Sequence, residues 1–197
     1  AEPFFFAEAK KKNAKKTYGV VMYWFVIFIW FIFLGVNLYL DIFKYFIGEE
    51  FWAGLSVVPI ILAAKMSLGV FFNLSVWYKL TNKTLYGALI AIFGALVTIV
   101  LNIILIPTMG YMGSAWANFI CYFSMMLISF FWGRKVYKVN YNLKKIFTYS
   151  ILGLLVYYAS VYFGGHEKII QLSINTALLL IFLGLIALSE RRFLFRG

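Results

Sequence analysis

Residues 84–133 read TLYGALIAIFGALVTIVLNIILIPTMGYMGSAWANFICYFSMMLISFFWG, 50 consecutive positions without a formal charge. A helix rises about 1.5 Å per residue and a bilayer core is about 30 Å thick, so about 20 apolar residues make one crossing. The stretch is long enough for two crossings. Pro107, Thr108, Met109 and Gly110 supply the connection, because Pro and Gly stop helices. Ile106, ahead of the proline, is expected to leave the helical region.

The same reading extends in both directions. There are 24 uncharged residues between Lys16 and Asp41, and 28 residues from Phe51 to Tyr78 interrupted only by Lys65. Ile146 to Gly165 gives 20 and Ile169 to Ser189 gives 21, so the chain is expected to cross a membrane six times. Barrel strands would alternate apolar and polar residues, whereas Val20–Val36 and Leu178–Leu188 are apolar on every side. Helices satisfy the backbone of such runs internally, and the fold class is an all-α integral membrane protein.

Composition agrees. The chain is 64% hydrophobic and 13% charged, against about 45–50% and about 25% in ordinary globular domains. A soluble enzyme, a nucleic-acid module and a disordered chain are poor fits to that balance. Cys121 is the single cysteine and His166 the single histidine, so neither an internal disulfide nor a cysteine-built metal site is expected. The basic N-terminal stretch followed by an apolar run resembles a secretory signal. The run is longer than a signal core of about 7–15 residues and ends in Leu38, Tyr39, Leu40 and Asp41, so a span is expected instead.

Orientation follows from the basic residues. Segments 1–17, 79–84, 133–145 and 190–197 carry fifteen of them, and the opposite loops hold only Lys44 and Lys168. That asymmetry places both ends in the cytoplasm. Tyr18, Tyr39, Tyr45, Trp52, Trp77, Tyr78, Trp132 and Tyr149, near the ends of runs, fit the aromatic belts of the interfaces. The segments divide as 1–17, a basic cytoplasmic stretch; 18–133, four helices; and 134–197, a basic loop with two further helices.

No Asp or Glu falls inside the six runs, and no Gly-rich phosphate loop, paired carboxylates or nucleophile–base spacing occurs, so no covalent chemistry is expected. His166 and Glu167, beside Gly164 and Gly165, read as a solvated turn. Lys65 stands out. A lysine at a helix centre costs about 2.5–3.5 kcal/mol to insert and lies too deep to snorkel easily. At 100° per residue it shares a face with Gly54, Val58, Ile61, Gly69, Phe72 and Val76, with Asn73 at the border, and Pro59 is expected to bend the helix. Either the cation faces a wet cavity that receives an anionic substrate, or it reaches a carbonyl or polar side chain between helices. Gly87, Ala91, Gly94, Thr98 and Asn102 line one stripe, and Ser114, Asn118, Cys121 and Met125 another. Small residues in such register let helices approach closely. Asn102 and Asn118 are candidates for lining a substrate path, since a buried amide without a partner is costly.

Particular residues carry a resemblance. Ala1-Glu2-Pro3-Phe4-Phe5-Phe6 with its Lys-rich sequel resembles the eighth-to-ninth helix connection of bacterial polysaccharide flippases. Tyr78-Lys79-Leu80-Thr81-Asn82-Lys83-Thr84, Leu101-Asn102-Ile103-Ile104-Leu105-Ile106-Pro107 and Gly110-Tyr111-Met112-Gly113-Ser114-Ala115-Trp116-Ala117 are similar to the C-terminal half of oligosaccharide flippases. These belong to the multidrug/oligosaccharidyl-lipid/polysaccharide exporter superfamily, and the similarity continues through Lys145. The resemblance implies a parent of about fourteen helices in two lobes, of which this chain would hold the last six. It implies a bacterial inner-membrane protein that moves polyprenyl-pyrophosphate-linked oligosaccharide by alternating access. Its partners would be that lipid, the bilayer and a preceding N-terminal lobe, with no cofactor, no metal and no nucleic acid. Lys65 belongs to no shared motif, and its assignment rests on depth alone.

Three other functions compete. A multidrug exporter of the same superfamily would typically need membrane carboxylates. A membrane enzyme of envelope polysaccharide synthesis would need a catalytic His, Asp or Arg near a span end. A small membrane subunit would begin with its own Met, whereas this chain opens on Ala1 and is expected to be part of something larger.

Overall fold

The computed structural model describes residues 8, 9, 11, 13–165 and 167–194, with side chains described through Arg191. All regular structure among them is helical. The six long helices are α1 (Ala14–Leu38), α2 (Val58–Leu74), α3 (Thr84–Met109), α4 (Tyr111–Val136), α5 (Leu143–Tyr162) and α6 (Lys168–Leu194). Short helices at Leu40–Phe43 and Val76–Leu80 and 3₁₀ segments at Lys44–Phe46 and Glu49–Val57 complete the path. Six helical stretches are long and apolar enough to cross a membrane, the second being Glu49–Leu80 as a whole.

Several expectations change in detail. Pro107 does not end α3, which runs on to Met109. A proline in the last turn loses only one backbone bond, and the break comes at Gly110, whose φ of 58° and ψ of −137° suit glycine alone. Pro59 does not bend α2 but starts it, where a missing N–H costs little. Gly54 lies in the 3₁₀ segment, so the 100° register through Lys65 does not reach back to it. Tyr18, Trp77, Tyr78 and Tyr149 are buried within the protein.

The chain forms two compact units, Ala1–Phe25 with Ser56–Asn142 and Val26–Leu55 with Leu143–Gly197. In the first, α2 and α3 both pack on α4 around Phe71, Ile90, Cys121 and Met125. The small-residue stripe serves this packing. A Cβ on Gly94 would run into Met125, and one on Gly87 would lie 2.7 Å from the Tyr78 ring. Trp77 likewise closes on Gly133 and donates from Nε1 to Ser129 Oγ at 3.2 Å. The start of α1 is tied to the 137–142 segment by the Ala14, Tyr18 and Val139 cluster.

In the second unit, α5 packs on α6. Trp30 packs closely on Gly153 and donates from Nε1 to Ser150 Oγ at 3.1 Å. Phe33 meets Tyr157 edge to face at 5.4 Å. Asn175 on α6 is buried and donates to the Leu38 carbonyl, satisfying an acceptor that the end of α1 would otherwise leave open.

Candidate functional site

Lys65 lies midway along Glu49–Leu80 and is exposed on the first unit, on the flank of the α2 face formed by Ala64, Ser67 and Phe71. Its ammonium stands 5.4 Å from the centre of the Tyr122 ring on α4. Among the described residues it pairs with no carboxylate and bonds no carbonyl. A cation–π contact is worth about 0.5–1 kcal/mol when exposed and about 2 when desolvated. That does not cover an insertion cost of about 2.5–3.5 kcal/mol, so the ammonium needs a further polar surrounding at that depth.

The three asparagines are not gathered around it. Asn73 donates to the Gly69 carbonyl at 3.3 Å, Asn102 to Thr98 at 2.8 Å and Asn118 to Ser114 at 3.0 Å. Each amide thus bonds its own helix one turn back, which hides a polar group inside an apolar run without a partner helix. Asn102 differs in one respect: its Oδ1 is buried without a partner among the described residues.

Polar chemistry that the sequence did not single out lies in the second unit. A cleft of about 470 Å³ is lined by Asn37, Tyr39, Asp41, Tyr45, Gln171 and Asn175 among others. Asn175 Oδ1 accepts from Ser160 at 2.7 Å and from Gln171 at 3.0 Å, while Asn37 Oδ1 and Gln171 Oε1 are buried with no donor among the described residues. At the same cleft Lys168 donates to the Tyr45 hydroxyl at 2.8 Å and holds its pKa below the usual tyrosine range. Asp41, 2.8 Å from Lys44, raises the pKa of that lysine. The signal was available, since Asn37, Gln171 and Asn175 are lone amides in apolar runs, as Asn102 and Asn118 are.

Glu190 is the other residue missed. It reads as part of a basic tail, but α6 continues through it and buries its carboxylate to 2% exposure, paired with Lys145 and hydrogen-bonded by Tyr149. Among the described residues no three His, Cys, Asp or Glu side chains come together to hold a metal. His166, half of the turn with Glu167, lies outside the described residues. No family model, curated protein or solved structure matches the chain.

Proposed function

We propose that this chain is the C-terminal part of a transporter that flips lipid-linked oligosaccharide across a bacterial inner membrane by alternating access, with both its ends in the cytoplasm. One observation carries the reading: Lys65, a cation at mid-span, turned outward beside Tyr122 and unpaired among the described residues. Such a group is stable where water and an anion reach it, as in a cavity completed by another lobe. The substrate's pyrophosphate would be that anion. The fifteen-to-two division of basic residues supports the orientation, and the motifs around Thr84 and Gly110–Ala117 support the family.

The test uses the complete protein in cells that depend on it for surface polysaccharide. Lys65→Arg should keep much of the export, since charge matters most, although the two cations differ in geometry. Lys65→Met should insert at least as well, because it removes the charge and keeps the bulk, and should export poorly. Normal export by a methionine variant made at normal levels would overturn the role of Lys65.

A further inference from the structure

A second basic feature lies at one end of the first unit, away from Lys65. The first turns of α1 and the 137–142 segment border a cleft of about 470 Å³ lined by Asn13, Lys15, Lys16, Lys138, Asn140 and Asn142, together with Gly19, Val20 and Tyr23. Three cations and three amides line it, and among the described residues no acid does. The Glu8 carboxylate, just ahead of α1, is held by Lys11 at 2.8 Å and by the Thr17 hydroxyl at 3.2 Å. The walls are built and not merely adjacent. Gly19 lets the Asn140 carbonyl approach to 2.8 Å from where a Cβ would stand, the Ala14–Tyr18–Val139 cluster clamps the two segments, and Lys15 is held 4.6 Å over the Tyr137 ring.

The electrostatics of this cleft are unbalanced. Cations in the first turn of a helix oppose its macrodipole; α1 has no acid of its own there, and the Glu8 carboxylate that reaches Thr17 is shared with Lys11. A bound anion would relieve the lysines and the helix end together. Among anions, phosphate suits best, because it takes point-charge contacts from several ammonium groups and hydrogen bonds from amide N–H donors. We infer that the cleft formed by Lys15, Lys16, Lys138, Asn13 and Asn140 is a binding site for a phosphate group, presented by the headgroup of an anionic lipid. Basic pockets at span ends are suited to such headgroups, and this one sits where α1 enters its apolar run. The inference goes beyond the transport reading and stands without it, since binding at the cleft is measured with no transport step.

The test is ligand-induced thermal stabilisation of the purified protein in a neutral detergent. One titration adds short-chain phosphatidylglycerol to the micelle and a second adds inorganic pyrophosphate to the solution, which separates a lipid source from a free anion. Two variants remove equal charge: Lys15→Gln/Lys16→Gln/Lys138→Gln in the cleft, and Lys83→Gln/Lys135→Gln/Lys144→Gln outside it. A further variant, Lys16→Gln/Lys138→Gln, leaves the contact of Lys15 with Tyr137 in place. Each shift is measured against the same variant without ligand, so a lower starting stability does not obscure it. The expected result is saturable stabilisation by phosphatidylglycerol whose midpoint rises at least tenfold in both cleft variants and less than twofold in the outer variant. Saturation by pyrophosphate alone, lost in the cleft variants, would keep the phosphate site and overturn the lipid source. Equal weakening in the cleft and outer variants, or no saturable binding of either probe, would overturn the site.

Discussion

Lys145 and Glu190 close a two-pronged ion pair between α5 and α6, with Nζ 2.6 Å from Oε1 and 2.8 Å from Oε2. Tyr149, one turn on from Lys145, donates to the same carboxylate, and its hydroxyl also meets Ser189 at 3.2 Å. Glu190 needs these partners twice over. It is buried, and it stands in the last turns of α6, where the helix dipole disfavours an anion.

Removing one partner should therefore cost more than removing both. Breaking a buried pair costs about 3–5 kcal/mol, and the side chain of Lys145 is 36% exposed, so a discounted loss of about 1–3 kcal/mol is expected for Lys145→Met, which leaves the buried carboxylate without its cation. Lys145→Met/Glu190→Leu should recover part of it. Thermal midpoints of wild type, Lys145→Met, Glu190→Leu and Lys145→Met/Glu190→Leu in detergent form a double-mutant cycle, and a coupling near zero would mean the pair contributes nothing.

Two glycines in the second unit should behave oppositely. Trp30 covers Gly153 so closely that any Cβ meets the indole, whereas nothing lies within 4 Å of a Cβ on Gly184. Gly153→Ala should destabilise by about 1–3 kcal/mol through overpacking, and Trp30→Leu should relieve it. Gly184→Ala should be neutral or stabilising by up to about 1 kcal/mol, because a helix interior favours alanine. The same thermal assay reads both, and equal midpoints for the two alanine variants would contradict the packing at Trp30.

Tyr45 gives a prediction in pH. Lys168 favours its ionised form, so the hydroxyl should titrate below pH about 10, ahead of an unperturbed tyrosine. A folded pKa below the unfolded one adds stability that sets in as pH rises through the folded value and is complete above the unfolded value, so nothing changes at neutral pH and the gain appears in alkali. The ultraviolet difference between wild type and Tyr45→Phe isolates this titration. Lys168→Gln should move it upward, and an unmoved curve would remove Lys168 as the cause.

The spans were legible because charge is largely excluded from hydrocarbon, and each of the six expected crossings became a membrane-length helical stretch within a few residues. Gly110 was legible too, while Pro107 misled, because a proline near a C-terminal turn costs too little to end a helix. Helix partners were not legible. Runs apolar on every side carry no face to read, so the contact of Trp30 with Gly153 and the pairing of Lys145 with Glu190 came only from the fold. Lys65 was visible as a lone cation in a long run. Glu190 was hidden by its place at the edge of the last run, 45 positions from its partner.

The orientation can be tested apart from any substrate. In a Cys121→Ser background, which removes the single thiol, cysteines are placed at Asn140 and Glu167, both exposed in the segments after α4 and before α6. Arg134, Lys135, Lys138, Lys144 and Lys145 surround the first position, while the second lies in a segment whose basic residue is Lys168. If basic loops stay inside, a membrane-impermeant thiol reagent added to intact cells should label position 167 and miss 140. After the cells are opened, both should react, which shows that 140 was shielded by the membrane and not by the protein. Labelling of 140 from outside with 167 protected would invert the topology and, with it, the flippase reading.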